Sequence, residues 1–264
     1  MSEMPAVCLG IVSIVLAAGL AFAVRKIIHA REDRKMRGIL CSWPIPQTDP
    51  EAFDSCFRTG TLGPERSTEI RFIANFKVEG GISDLESWIL CNLAKKAARI
   101  FEIGTCTGKT AYLLAANAQP QARIFTLTLR PEDAGQYTAA AGDAPDARAS
   151  AAMESRFSTF FYNGTSEEGK IQQLFGDSKN FDETPYLNSC DLIFVDGSHA
   201  RSYVESDSQK ALRMVKPGGV VLWHDYRGPR QTRGVFDALN ALGQNIPLAH
   251  IKGTSLVAYR RPLS

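Results

Sequence analysis

At 264 residues the chain is long enough to bury one good core with length to spare. Its 30 Lys and Arg against 28 Asp and Glu leave a net charge of +2, which excludes a global field for nucleic acid. Six scattered cysteines with no C-x-x-C spacing exclude a zinc site of that type and a legible disulfide framework, and they suit a reducing compartment.

The run from Pro5 to Val24 holds no charge and, as a helix, spans roughly 30 Å, the apolar thickness of a bilayer. Arg25, Lys26, Arg31, Arg34, Lys35 and Arg37 follow it, and only Glu3 precedes it. The positive-inside rule then predicts a single-pass membrane protein with its carboxyl part in the cytoplasm. The rival is a cleaved signal peptide, suggested by Ala21-Phe22-Ala23, although the basic n-region is missing. Residues 1–37 are thus read as a transmembrane helix and basic juxtamembrane segment. Residues 38–80 are read as a Pro- and Gly-rich stalk or cover, and 81–264 as the globular domain.

Ser83 and Glu86 make a capping box, and Leu85, Trp88, Ile89, Leu93 and Ala97 recur at helical spacing to near Arg99. A short apolar strand, Ile100 to Ile103, runs into a glycine turn, and a helix follows over Lys109 to Asn117. Residues 122–129 alternate as a second strand, 131–170 read as helix plus loop, and 171–178 as a third strand. The fourth, 190–199, is buried by composition. A helix from Val204 to Val215 stops at Lys216-Pro217-Gly218-Gly219, and 220–226 form a fifth strand. A helix over Gly234 to Leu242 leads to two last strands, "PLAHI" and "SLVAY", joined at Lys252-Gly253. Strands alternating with helices predict a Rossmann-like, doubly wound α/β fold. Its sheet is mostly parallel and seven-stranded, with an antiparallel terminal strand. Ligands in such sheets sit beyond the carboxyl ends of the strands.

The turn reads "FEIGTCTGKT". Only Thr105, Cys106 and Thr107 separate Gly104 from Gly108, one residue short of a triphosphate-binding loop, and Ile103 stands where that loop's first glycine belongs. The dinucleotide pattern G-x-G-x-x-G fails at Cys106. What remains is a strand, an acidic residue and a glycine turn into a helix.

With "FGDS", "DLIFVDGSHA", "ALRMVKPGGVVLWHDY" and "IKGTSLVAY" following in order, the stretch from Gly81 to Arg260 resembles a class I S-adenosylmethionine-dependent methyltransferase. It is most similar to the small O-methyltransferase-like family with Asp-Gly-x-His and His-Asp motifs. The resemblance implies S-adenosylmethionine as cofactor. Gly104, Thr105 and Gly108 would admit its amino-acid head and ribose, and Glu102 would receive its ammonium. Asp177 and Ser178 would lie beside the adenine, and Asp196 near the methyl-transfer centre. The family's usual acid at the end of the second strand is replaced by Thr128, which makes one ribose bond rather than a bidentate pair.

A hydroxyl acceptor must also lose its proton. One route uses His199 or His224 as general base, tuned by Asp196 or Asp225. The other uses a divalent metal, magnesium by preference, on Asp196 and Asp225. The Asp207 side chain is read either as orienting the Asp196 loop or as facing solvent. The function expected is O-methylation of a small-molecule, glycan or lipid-linked acceptor at the membrane, with no nucleic-acid partner. The alternative is a non-catalytic, membrane-tethered cofactor-binding or interaction module.

Overall fold

A computed structural model describes residues 16–31 and 43–263. Residues 16–31 are helical (α1). Among the described residues no helix is long and apolar enough to cross a membrane. This corrects the expected transmembrane helix, the single-pass topology with a cytoplasmic domain, and the membrane as partner. The described helix does not stop at Val24 but runs on through Arg25, Lys26 and Arg31. The first part of the Pro5–Val24 run, residues 5–15, lies outside the described residues.

The segment read as stalk packs into the fold. It carries strand β1 (Gln47–Thr48), helix α2 (Pro50–Phe53) and the hairpin of β2 (Thr59–Gly60) and β3 (Gly63–Pro64). Trp43, Ile45 and Phe57 are buried in the core. After it come α3 (Asp84–Ala94), β4 (Arg99–Ile103), α4 (Lys109–Asn117), β5 (Arg123–Thr128), α5 (Ala147–Glu154) and β6 (Ile171–Phe175). The chain continues with β7 (Cys190–Val195), α6 (Arg201–Met214), β8 (Val215–Trp223), α7 (Arg233–Leu242), β9 (Ala249–Ile251) and β10 (Val257–Arg260).

The main sheet has eight strands in the order β1-β9-β10-β8-β7-β4-β5-β6, one more than the seven expected. The added strand is β1, which pairs parallel with β9. A two-residue strand just after Pro46 is too short to show an alternation, so no sequence pattern marks it. From β6 through β8 the pairs are parallel, while β10 runs antiparallel to both β8 and β9. The Rossmann-like α/β reading with its antiparallel terminal strand therefore holds.

Strand alternation sorts the core into two layers. Ile100, Ile124, Leu192, Phe194 and Leu222 face α3 and α4, packing on Ile89, Leu90 and Leu114. Phe101, Ile103, Ile193, Val221 and Trp223 face the opposite way, onto Val204, Met214 and Leu239 of α6 and α7. With both faces covered, the open ground is the carboxyl edge of the sheet.

Candidate active site

A cavity of about 340 Å³ opens at that edge, walled by the residues that follow β4, β5, β6, β7 and β8. The turn after β4 sets its floor. Gly104 has φ +103°, and a Cβ there would lie 2.0 Å from the Asp196 carbonyl oxygen. Gly108 has φ +75°, and its Cβ would lie 2.8 Å from Phe160 and Tyr162. Both glycines are thus required by protein packed against them, not only by room for a ligand.

Gly104, Thr128, Asp177, Ser178, Asp196, His199, His224 and Asp225 line the cavity. Glu102, Thr105 and Gly108 stand behind its wall, although the sequence grouped them with the rest. Glu102 is fully buried. Its Oε2 accepts a 2.5 Å bond from Thr126 Oγ1, and its Oε1 has no partner. Thr126 Oγ1 lies 2.7 Å from Thr105 Oγ1, which accepts from Gln173 Nε2 at 3.1 Å. Burial pushes the Glu102 carboxyl up to about 8 from an ordinary 4.5. The folded state then keeps a proton that the unfolded state releases. This stabilisation is complete below about pH 4.5 and is lost as pH rises through about 8, at roughly 1.4 kcal/mol per pH unit. Glu102→Gln, which cannot ionise, is expected to flatten that decline when urea midpoints are measured from pH 5 to 8. An unchanged slope would refute the neutral carboxyl.

His224 sits at the end of β8 between three carboxylates. Its Nδ1 is 2.9 Å from Asp196 Oδ1 and 3.3 Å from Asp225 Oδ1, and its Nε2 is 3.4 Å from Glu86 Oε2. Burial alone would strip its proton, but the charges of Asp196 and Asp225 outweigh burial and hold its pKa well above 6.5. Glu86 comes from the α3 capping box, where its Oε2 also accepts from Ser83 N at 2.8 Å. Its Oε1 accepts from the Ser255 backbone and hydroxyl, both at 2.7 Å. Burial opposes its ionisation, yet His224 and these donors keep it well below the usual range. The sequence showed Glu86 only as a cap.

Asp225 has φ +62°, uncommon for a residue with a side chain. The bend turns its carboxylate to His199, whose Nε2 is 2.6 Å from Asp225 Oδ2, and to Arg227 at 2.8 Å. Burial raises the Asp225 pKa, but His224 and His199 together bring it well below normal. The His199 side chain is 42% exposed; burial lowers its pKa, but Asp225, with Glu154 and Asp196, raises it further, to about 9.

At the far end Tyr137 and Tyr203 stack with centroids 4.3 Å apart. Tyr203 OH donates to Asp177 Oδ2 at 3.1 Å, and Tyr137 OH lies 2.7 Å from Ser198 Oγ. Neither tyrosine carries a sequence signal beyond its type. Asp207 is buried, so of its two readings the solvent-facing one fails. Burial pushes its carboxyl to about 7.

Residues 101–226 match a family model described as "Methyltransferase domain". None of the curated proteins matches the chain. Among solved structures, the chain is similar to the O-methyltransferase TomG from Streptomyces achromogenes, in complex with SAM. The two are 19% identical, with 70% of this chain and 83% of that one covered and a TM-score of 0.45. It is also similar to SAH-bound Podospora anserina methyltransferase PaMTH1, at 17% identity, 69% and 80% coverage and a TM-score of 0.49. A third likeness is the O-methyltransferase from Bacillus cereus in complex with SAH, at 16% identity, 68% and 81% coverage and a TM-score of 0.44. The stretch from β4 to the His224-Asp225 corner, 101–226, therefore matches a methyltransferase domain.

Proposed function

We propose that the protein transfers the methyl group of S-adenosylmethionine to a hydroxyl oxygen of a small-molecule acceptor, with His199 as general base. The observation that carries this reading is the pairing of His199 with Asp225 on the cavity wall. His199 Nε2 is held by the carboxylate, and Nδ1 has no hydrogen bond among the described residues. That is the arrangement of a base backed by an orienting acid. His224 is unsuited to the same role, because both its ring nitrogens face carboxylates and it is buried. Its part is to fix Asp196 on the cavity wall, where the carboxylate helps shape the bed that aligns the acceptor oxygen with the methyl carbon. Gly104 and Asp177 mark the two ends of the cofactor's bed, head and adenine.

In the transfer, the acceptor oxygen forms a bond to the methyl carbon as the carbon–sulfur bond breaks. The hydroxyl proton passes to His199, and the cofactor leaves as neutral S-adenosylhomocysteine. His199 accepts only when neutral, so the rate is expected to rise about tenfold per pH unit and level off near pH 9. A labelled-methyl transfer assay against pH checks this. In His199→Asn the rise should vanish with a rate loss of roughly 10²–10⁴-fold. A wild-type rate that is flat between pH 6 and 9 would refute the base.

A second reading rests on Asp196, His224 and Asp225, whose ligand atoms all lie within 4.8 Å of one another. The two carboxylates fit a hard divalent ion such as magnesium, while His224, bonded at both nitrogens, does not. Such an ion, when bound, would supply acidification of the acceptor hydroxyl.

A further inference from the structure

Glu154, the last residue of α5, lines the cavity beside Ala151, Gly80 and Cys106. It is half-buried, and among the described residues no hydrogen bond or ion pair reaches it. Each cation on the cavity wall is bonded to another acid. His199 and Arg227 hold Asp225, and His224 lies between Asp196 and Glu86. Arg156, two residues on, is ion-paired with Glu79 instead. The other carboxylates on the wall all have donors: Asp177 receives Tyr203 and the Lys179 amide, while Asp196 and Asp225 have the histidines. Glu102, the acid that the motif offers to the cofactor's ammonium, is walled off and bonded to Thr126. The one positive charge that acts on Glu154 is His199, which is already bonded to Asp225, and a desolvated carboxylate without a hydrogen-bonded counter-charge is costly unless a ligand supplies one.

We propose that Glu154 is the binding carboxylate for an alkylammonium group brought into this cavity. The inference rests on the methyltransferase reading. Two molecules of that reaction could bring such a group: the cofactor through its α-amine, and the acceptor through an amine of its own.

Isothermal titration distinguishes the sources. In the first arm, S-adenosylhomocysteine is compared with its analogue lacking the α-amine. In the second, tyramine is compared with 4-ethylphenol on protein saturated with S-adenosylhomocysteine. Wild type is expected to prefer the amine-bearing member of one pair by roughly tenfold or more. Glu154→Gln should remove that preference with little change in melting temperature, and Glu154→Asp should keep part of it. The arm that responds names the source. A preference that survives in Glu154→Gln, or no preference in either pair, overturns the inference alone. Failure of S-adenosylhomocysteine itself to bind overturns the cofactor assignment, and the inference with it.

Discussion

Gly104→Ala is expected to unfold the turn after β4 and abolish binding of S-adenosylhomocysteine. The added Cβ would stand 2.0 Å from the Asp196 carbonyl oxygen and 2.8 Å from the Gly197 nitrogen. These are backbone atoms at the end of a central strand and cannot swing aside. The φ of +103° adds strain for any side chain. Overpacking and backbone strain together cost on the order of 2–6 kcal/mol, a large share of the stability of a domain this size. Gly197→Ala is the control. Its Cβ meets nothing nearer than 3.4 Å, at a flexible Ile103 methyl, and its φ lies outside the left-handed range. Thermal melts and titration with S-adenosylhomocysteine should show a severe loss for the first variant and a mild one for the second. Equal behaviour of the two would show that β7 does not hold the turn.

Glu86→Ala should destabilise the protein by about 3–5 kcal/mol, the range for removing one partner of a buried ion pair. The change leaves the Ser255 amide and hydroxyl, the Ser83 amide and the His224 Nε2 without their acceptor. Glu86→Gln keeps one carbonyl oxygen and should lose less. Chemical denaturation at neutral pH measures both. Should Glu86→Ala unfold within 1 kcal/mol of wild type on the scale of buried-pair deletions, the carboxylate is not bearing on His224.

The elements legible in the sequence were those with a local cause. The bounds of α4 matched, because Gly108 supplies the left-handed entry that starts the helix. Strands β4 and β7 were visible as short apolar runs, and the His224-Asp225 corner as polar residues closing such a run. Glu102 stands behind the cavity wall for a reason already present in the sequence. It alternates with Phe101 and Ile103 along β4, so strand parity turns it toward the α3 and α4 face and away from the rim. Other parts were set by distant packing. Ser255 meets Glu86 across 169 positions, and Tyr203 meets Asp177 from a different helix–strand unit. The anchor reading failed because a charge-free run was taken as the whole helix, while the described helix continues into a basic stretch.

The tie between β1 and β9 bears on how this protein is best prepared as a fragment. Trp43 stacks edge-on against His250 and tilts on Tyr226, and the Pro46 carbonyl accepts from His250 N at 2.9 Å. A version trimmed to begin at the first motif, near Gly81, would strip this latch away. It would bare the backbone row of β9 as an unguarded border, the kind of surface that recruits stray strands from other molecules. Trimming before Trp43 leaves the latch in place.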